Sequence, residues 1–348
     1  MTNYRLLPST DPSTLKHQDF SSNQDVRWCP GCGDYSILAQ VQRVLPTLGI
    51  PKEDIVVVSG IGCSSRFPYY MDTFGLHTIH GRAPAVATGI KSLRPELSVW
   101  MITGDGDALS IGGNHLIHLL RRNVDLNLLL FNNRIYGLTK GQYSPTSERG
   151  KRTKSTPLGS LEEPFNPLRL ALAAGASFVA RSIDIEAAHL QETLKAAAAH
   201  RGTSLIEIYQ NCNIFNDGAF SEITDRQFKA ERQVHLREGE PALFGAQREL
   251  GLVLNTMEMR FEVAQVAEVG LDAIYVHRTS NRIAAQLLLE QQDELPTPIG
   301  VLHQHQRETY DHAMNQQLLE ARQAKHPNLQ SRPSVQSLLD GGDTWVVD

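Results

Sequence analysis

Between about residues 26 and 210, helical patterns alternate with short runs that are apolar throughout. The helical patterns cover 35–45, 83–93, 111–121 and 185–199, and the strand patterns cover 55–59, 97–103, 126–132 and 204–209. Continuously apolar strands separated by helices are typical of a parallel sheet that is covered on both faces. The sequence therefore predicts an α/β fold, with a parallel sheet flanked by helices.

Unusual polar and glycine-rich clusters follow several of these strands. They lie at 60–70, 104–107, 132–142 and 211–217. In open parallel sheets, ligands bind beyond the carboxyl ends of the strands. We therefore expect these four loops to form one site.

The pattern changes after about residue 235, where a strand pair is predicted over 262–277 and polar helices over 286–294 and 312–324. We divide the chain into an N-terminal arm (1–25), an α/β domain (26–235) and a C-terminal α+β extension (236–348). The extension is expected to pack against a partner rather than to form a second catalytic domain.

Charge and hydropathy exclude some classes of protein. The 348 residues carry a net charge of −5, from 33 basic and 38 acidic side chains, which does not favour nucleic-acid binding. No apolar run reaches the roughly 18–20 residues of a membrane span. The polar segment 1–24 lacks the apolar core of a secretory signal, so a cytoplasmic location is expected.

The first chemical motif is a Gly104-Asp105-Gly106 turn after one strand, with Asn132-Asn133 ending the next. Together the two loops offer a carboxylate, a side-chain amide and a backbone carbonyl, which are hard oxygen ligands suited to Mg²⁺ holding a diphosphate. The helix that starts near Ile111 adds its dipole. This spacing resembles the thiamine diphosphate motif, which implies Mg²⁺ binding by Asp105, Asn133 and the main-chain carbonyl of Ile135.

The second motif consists of the four cysteines of the chain, Cys29, Cys32, Cys63 and Cys212. A lone CxxC pair is compatible with a redox dithiol, half of a zinc site or part of an iron–sulfur site. Structural zinc usually takes two close pairs, whereas Cys63 and Cys212 are single. Four thiolates from strand-end loops favour a [4Fe–4S] cluster, and a four-cysteine zinc site stays open as an alternative.

Together these motifs resemble the β subunit of 2-oxoacid:ferredoxin oxidoreductases, over about residues 25–235. The matching segments are 28–33 (WCPGCG), 60–64 (GIGCS), 80–83 (HGRA), 104–107 (GDGD), 112–115 (GGNH), 132–142 (NNRIYGLTKGQ) and 144–146 (SPT). The resemblance implies a thiamine diphosphate-binding fold with Cys29, Cys32, Cys63 and Cys212 as ligands of a [4Fe–4S] cluster. It also implies a set of residues that bind or line the cofactor: Ile61, Gly62, Cys63, Ser64, His80, Gly81, Gly104, Asp105, Gly106, Asp107, Asn133, Ile135, Tyr136, Gly137, Leu138 and Thr139.

Two residues are candidates for catalysis, His80 near the cofactor and Lys140 at the mouth of the site. Lys140 is either a solvent-exposed loop lysine or the partner of an anionic substrate group. The sequence TKGQ at 139–142 looks more like the 2-oxoglutarate type of the family, whose substrate has a second carboxylate.

The resemblance implies coenzyme A-dependent oxidative decarboxylation of a 2-oxo acid. For 2-oxoglutarate the products are succinyl-CoA and CO₂, with electrons passing through the cluster to ferredoxin, and the reductive direction is also open. An α subunit would supply the pyrimidine-binding domain, in an (αβ)₂ or larger assembly. The alternatives are a non-redox thiamine diphosphate subunit with a zinc site, and a non-catalytic iron–sulfur electron-transfer module.

Overall fold

A computed structural model describes residues 10–291 and 294–323, together with residues 339 and 345. The strands are β1 (Ile55–Ser59), β2 (Phe74–His77), β3 (Ser98–Gly104), β4 (Leu126–Asn132), β5 (Phe178–Ile183), β6 (Thr203–Tyr209), β7 (Gln233–Leu236), β8 (Leu243–Phe244), β9 (Leu250–Asn255), β10 (Arg260–Gln265) and β11 (Thr297–Gln304). Eight of them form a sheet in the order β2-β1-β3-β4-β6-β5-β11-β7, and β10-β9-β8 form a small antiparallel sheet. Within the large sheet only the β5–β11 pair is antiparallel among the described strands.

The helices are α1 (Asp34–Val44), α2 (Ala83–Leu93), α3 (Asp105–Leu109), α4 (Gly113–Arg122), α5 (Pro167–Ala173), α6 (Ala187–Ala199), α7 (Ser221–Thr224), α8 (Lys229–Arg232), α9 (Val266–Val269), α10 (Arg282–Glu290) and α11 (Tyr310–Gln323). The apolar faces of α1 and α6 cover one side of the sheet. Those of α2, α4, α5 and α10 cover the other side. Neighbouring strand residues such as Leu128 and Leu129 therefore enter different layers of the core, because successive side chains point to opposite faces. None of the helices in 10–291 and 294–323 is long and apolar enough to cross a bilayer.

The predicted parallel sheet with flanking helices is confirmed, and β1 and β4 have the predicted bounds. The strand pair predicted over 262–277 is wrong, because the hairpin is formed by β9 and β10. Its turn starts at Asn255, whose side-chain oxygen accepts hydrogen bonds from the backbone N–H groups of Met257 and Glu258. No turn was predicted at this position, although asparagine often caps turns in this way.

Residues after 235 contribute to the large sheet as well as to the small one. β11 lies between β5 and β7, with Thr297 opposite Gln233 in the parallel pairing. The helix predicted over 286–294 begins earlier, at Arg282, where the Asn281 side chain caps it, and it ends at Glu290. The helix predicted over 312–324 is α11, and residue 324 lies outside the described residues.

Candidate active site

The polar loops meet at one edge of the large sheet. β1, β3, β4 and β6 are consecutive parallel neighbours, so the loops after them start side by side. The carboxyl edge of such a sheet is where ligands of α/β proteins bind. The loops at 60–70, 104–107, 132–142 and 211–217 therefore share one site.

Asp105 is the first residue of α3, directly after β3. Its Oδ2 accepts hydrogen bonds from Ser144 Oγ (2.5 Å) and from Thr146 Oγ1 (2.6 Å). Burial raises the pKa of Asp105 to about 6, although the hydrogen bonds from both hydroxyls act in the opposite direction. A cation beside this carboxylate would offset the cost of burying its charge.

The loop after β4 supplies the amide and the carbonyl of the predicted metal site. Asn133 Oδ1 accepts from the backbone N–H of Ile135 (3.2 Å), and Thr146 Oγ1 lies 2.9 Å from Asn132 Oδ1. Thr146 thus joins this loop to Asp105. The donor set of a carboxylate, an amide oxygen and a carbonyl, held on two linked loops, suits Mg²⁺.

Arg134, between those two predicted ligands, has a left-handed backbone (φ 54°). Its N–H donates to Asn132 Oδ1 (3.1 Å), and its carbonyl accepts from Ser147 Oγ (2.6 Å). Its guanidinium lies 4.6 Å from the centre of the Phe220 ring. A non-glycine residue in this conformation is costly, so these contacts hold the loop in its shape.

Asp107, the second acid of the GDGD segment, ties three segments together. Its Oδ1 accepts from the backbone N–H groups of Ile61 (3.1 Å) and Gly81 (2.7 Å) and contacts His80 Nδ1, and its Oδ2 accepts from Thr103 Oγ1 (2.7 Å). All four partners belong to this chain, and they give both oxygens of the carboxylate a hydrogen-bond partner. Asp107 thereby fixes the loops at 60–64 and 80–81 against the end of β3.

Tyr136 packs closely on the GDG turn. A Cβ atom built on Gly106 would lie 2.1 Å from the Tyr136 ring, and the Tyr136 hydroxyl donates to the Gly106 carbonyl (3.1 Å). A larger residue at this position would have to displace the Tyr136 ring. The His80 ring meets Tyr136 edge-on, with the ring centres 6.5 Å apart.

Lys140 lies on an exposed turn that closes back on Tyr136. Its backbone is left-handed (φ 77°), and the turn is held by hydrogen bonds of Tyr136 with Gln142 and Gly141. Leu138 and Thr139 are also exposed. The structure therefore places Lys140 on the site loop with its side chain open to solvent.

The four cysteines come from three segments that are pinned together. Trp28 Nε1 donates to the Cys63 carbonyl (2.7 Å), and Asn213 Nδ2 donates to the Pro30 carbonyl (2.6 Å). In addition, the backbone N–H of Gly33 donates to the Asn211 carbonyl (3.1 Å). The CxxC segment thus contacts both loops that carry the single cysteines.

The sulfur atoms approach each other beside Gly137. A Cβ atom on Gly137 would lie 3.4 Å from Cys63 Sγ and 3.6 Å from Cys212 Sγ. Burial is the main cause that raises the pKa of Cys32, and the charges of Asp34, Cys212 and Cys63 raise it further. Burial likewise raises the pKa of Cys63 to about 12. Such thiols ionise when a metal centre supplies positive charge.

Four thiols from three adjoining segments form a donor set that a zinc ion or a [4Fe–4S] cluster can use. Within 10–291 and 294–323, no three His, Cys, Asp or Glu side chains are grouped as a site for a single metal ion.

Comparison with known proteins shows which family this chain resembles. Residues 60–208 match the family described as thiamine pyrophosphate enzyme, C-terminal TPP binding domain. The chain is 53% identical to the 2-oxoglutarate oxidoreductase subunit KorB of Mycobacterium tuberculosis, over 98% of this chain and 91% of the relative. It is also 49% identical to subunit beta of 2-oxoacid:ferredoxin oxidoreductase 1 from Aeropyrum pernix, over 59% of this chain and 64% of the relative.

The chain belongs to the β-subunit family of the 2-oxoacid:ferredoxin oxidoreductases.

A solved structure also matches nearly the whole chain. The 2-oxoglutarate:ferredoxin oxidoreductase from Magnetococcus marinus, with 2-oxoglutarate, coenzyme A and succinyl-CoA bound, superposes with a TM-score of 0.73 at 33% identity. The match covers 95% of this chain and 97% of that one. The family and the thiamine diphosphate-binding fold predicted from the sequence are confirmed.

Within this family fold, some residues that shape the site carried no role in the sequence analysis. Ser144 and Thr146 belong to the family-like segment 144–146, but their sequence does not show that they contact Asp105. That contact forms because the loop after β4 folds back onto the start of α3. Asn216 donates to the carbonyls of Asn133 (2.9 Å) and Arg134 (3.3 Å). Its closeness in sequence to Cys212 could have marked Asn216 as a site residue, since the backbones of the two residues pair with each other.

Proposed function

We propose that this chain is the cluster-bearing β subunit of a 2-oxoglutarate:ferredoxin oxidoreductase that acts with coenzyme A. The reaction is the oxidative decarboxylation of 2-oxoglutarate to succinyl-CoA and CO₂, with electrons passed to ferredoxin, and the reverse direction is open to the same site. The proposal depends most on the position of Gly137. This residue belongs to the loop at 132–142 that carries predicted Mg²⁺ ligands, the metal loop, and it lies against the sulfur atoms of Cys63 and Cys212. Identity of 53% over almost the whole chain with a 2-oxoglutarate oxidoreductase subunit supports the choice of substrate.

In this proposal Asp105, Asn133 and the carbonyl of Ile135 hold Mg²⁺, which holds the diphosphate of thiamine diphosphate. When bound, the cofactor supplies the carbanion stabilisation that decarboxylation of a 2-oxo acid needs. The chain's own contribution is orientation. Ser144 and Thr146 fix one oxygen of Asp105, and Asp107 fixes the glycine-rich loops at 60–64 and 80–81 that line the cofactor.

Cys29, Cys32, Cys63 and Cys212 hold the [4Fe–4S] cluster in this proposal. Three of them are at least partly buried and Cys29 is exposed, so one side of the cluster faces solvent, where ferredoxin docks. Gly137 has no side chain to separate the metal loop from the sulfurs. With no side chain between them, the cofactor loop and the cluster ligands would allow the two centres to lie close enough for single-electron transfer.

Two side chains are assigned to the reacting groups. His80 is held at Nδ1 by Asp107 and keeps 38% of its side chain exposed, so it faces the site mouth as a proton donor or acceptor. Lys140 pairs with the distal carboxylate of 2-oxoglutarate. Lys140 is exposed on the turn at the end of the site loop, so its ammonium is accessible to an anionic substrate group.

The site is completed by partner chains. An α subunit supplies the domain that holds the pyrimidine ring, and the assembly is (αβ)₂ or larger, in the cytoplasm. Residues 26–235 form most of the cofactor domain, to whose sheet β11 of the extension adds a strand. The remaining surfaces of the arm at 1–25 and of the extension at 236–348 contact partners in this proposal.

The test is anaerobic co-purification of this chain with its α subunit, followed by visible spectroscopy and assay of succinyl-CoA. We expect a brown complex whose cluster is reduced by 2-oxoglutarate plus coenzyme A, and an isolated β chain that does not turn over after reconstitution. Asp105→Ala should abolish turnover while the cluster spectrum persists.

Other outcomes support the alternatives. A colourless complex that contains zinc and retains decarboxylation would identify a non-redox subunit. A brown complex that binds no thiamine diphosphate would identify an electron-transfer module.

A further inference from the structure

One buried side chain bridges the two predicted centres. Gln210 follows β6 and is 1% exposed. Its Oε1 accepts from Asn133 Nδ2 (2.8 Å), and its Nε2 contacts Cys32 Sγ (3.2 Å). A predicted Mg²⁺ ligand and a predicted cluster ligand are thus hydrogen-bonded to the same carboxamide.

Backbone groups at both ends set the direction of these hydrogen bonds. The N–H of Ile135 can only donate, so it faces Asn133 Oδ1 and turns Asn133 Nδ2 toward Gln210. The carbonyl of Asn211 can only accept, so it faces Gln210 Nε2 at 2.6 Å. The amide nitrogen of Gln210 is therefore the atom that points at Cys32 Sγ.

The position of Gln210 is also fixed by packing. Its backbone N–H donates to the Asn132 carbonyl (2.9 Å), which extends the β4–β6 pairing by one residue. A Cβ atom on Gly33 would lie 3.0 Å from Gln210 Cγ. The side chain is held between the CxxC segment and the metal loop.

We propose that Gln210 sets the reduction potential of the cluster and links it to the metal loop. Hydrogen bonds to cluster sulfurs are among the factors that determine iron–sulfur potentials. Reduction adds negative charge to the cluster and its thiolates, so an N–H donor at Cys32 favours the reduced state. A cation on Asn133 Oδ1 polarises that amide and strengthens its bond to Gln210, and such bonds reinforce each other along a chain.

The inference rests on the proposed function and concerns a positioning residue. The variants are Gln210→Met, which keeps the length of the side chain but loses both polar groups, and Gln210→Glu, which keeps an acceptor for Asn133 and loses the donor to Cys32. The control is Gln233→Met, which removes another buried glutamine from β7, where its Nε2 donates to the Ile223 carbonyl (2.6 Å).

The measurement is the midpoint potential of the cluster in the anaerobic αβ complex, followed by electron paramagnetic resonance during a redox titration. We expect both Gln210 variants to retain a four-iron signal and to be harder to reduce, with a fall on the order of tenfold in the equilibrium constant for reduction, or about 59 mV for one electron. Gln233→Met should titrate like the unaltered complex. Removal of Mg²⁺ and thiamine diphosphate should lower the potential of the unaltered complex more than that of Gln210→Met.

Three results would overturn the inference. Potentials of both variants equal to that of the unaltered complex would show that Gln210 does not tune the cluster. Loss of the cluster from both variants would show that the bond to Cys32 serves assembly instead. An equal response to cofactor removal in the unaltered complex and in Gln210→Met would break the link to the metal loop. The absence of a four-iron signal from the unaltered complex would contradict the proposed function itself.

Discussion

Replacing Thr146 with valine removes one hydroxyl at the junction of the two metal-site loops. Thr146 is buried, and its Oγ1 lies 2.6 Å from Asp105 Oδ2 and 2.9 Å from Asn132 Oδ1. The hydroxyl has a single proton, so it donates to the carboxylate when Asp105 is ionised. Valine has nearly the same shape as threonine, so the change removes the hydrogen bond and leaves no large cavity.

The size of the effect follows from the charge on the acceptor. A hydrogen bond to a charged group contributes about 1.5–3 kcal/mol, which is roughly ten- to a hundred-fold in an equilibrium constant. Here it stabilises only the ionised form of Asp105, whose pKa is already raised to about 6 by burial. Thr146→Val should therefore move that pKa upward past neutrality.

The consequence is a pH-dependent loss of Mg²⁺ affinity. Mg²⁺ competes with the proton on Asp105, so in the unaltered complex its affinity falls as the pH drops through about 6. In Thr146→Val that fall begins at a higher pH. We expect binding of thiamine diphosphate with Mg²⁺ to be weakened roughly ten- to a hundred-fold at slightly acidic pH and much less at alkaline pH.

Isothermal titration calorimetry on the αβ complex at both pH values measures this difference. Thr193→Val is the matched control, because Thr193 is a buried threonine of α6 whose hydroxyl donates to the His189 carbonyl (2.8 Å). It should leave Mg²⁺ binding unchanged. An equal loss of affinity at both pH values, or no loss at either, would refute the link between Thr146 and the charge of Asp105.

Three further predictions concern other parts of the site. Cys212→Ser should retain thiamine diphosphate binding but lose the four-iron cluster or degrade it to a three-iron form; an intact four-iron resonance signal with normal ferredoxin reduction would place the fourth ligand elsewhere. Lys140→Ala should lower kcat/KM for 2-oxoglutarate roughly ten- to a hundred-fold, and for pyruvate far less, because only the former has a distal charge; equal losses for both acids would remove its recognition role. Glu207→Ala leaves the buried Arg181, now 2.7 Å from Glu207, without its ion partner and should destabilise the complex by about 3–5 kcal/mol in urea unfolding, whereas replacing both residues with leucine should recover most of the loss; an unfolding midpoint unchanged by Glu207→Ala would contradict this.

The ion pair of Arg181 and Glu207 also shows how the sheet supports the site. Glu207 Oε1 accepts from Asn132 Nδ2 (2.8 Å), and Asn132 in turn anchors Arg134 and Thr146. The guanidinium of Arg181 lies 4.9 Å from the ring centre of Tyr209. A buried charge in the middle of the sheet thus helps to orient the metal loop at its edge.

Local pattern was enough for β1, β3, β4 and β6 and for the chemical types of the ligands. The apolar run at β4 is typical of a buried strand, and the glycines beside Asp105 mark a turn where a backbone approaches closely. No strand was predicted at β2, β5, β7, β8, β9 or β11. β2 is exposed along its length and contains Gly75, β5 contains Arg181 and Ser182, and β11 contains Pro298, so none of these three has the continuous apolar signal of β4.

Residue types and their spacing were sufficient to identify the groups that this protein brings to its site: the four thiols, the acid of the GDG turn, and the amides at the end of β4. These predictions need only local information, because residue type, turn chemistry and strand periodicity can be recognised from a few neighbouring positions. Which of these groups contact each other depends on the way the chain folds in three dimensions. Gln210 reaches both Asn133 and Cys32 because parallel pairing places the end of β6 beside the end of β4, and the CxxC segment lies against the same edge, where the N–H of Gly33 donates to the Asn211 carbonyl. Contacts between residues so far apart in the chain depend on strand order and register, which no local pattern records.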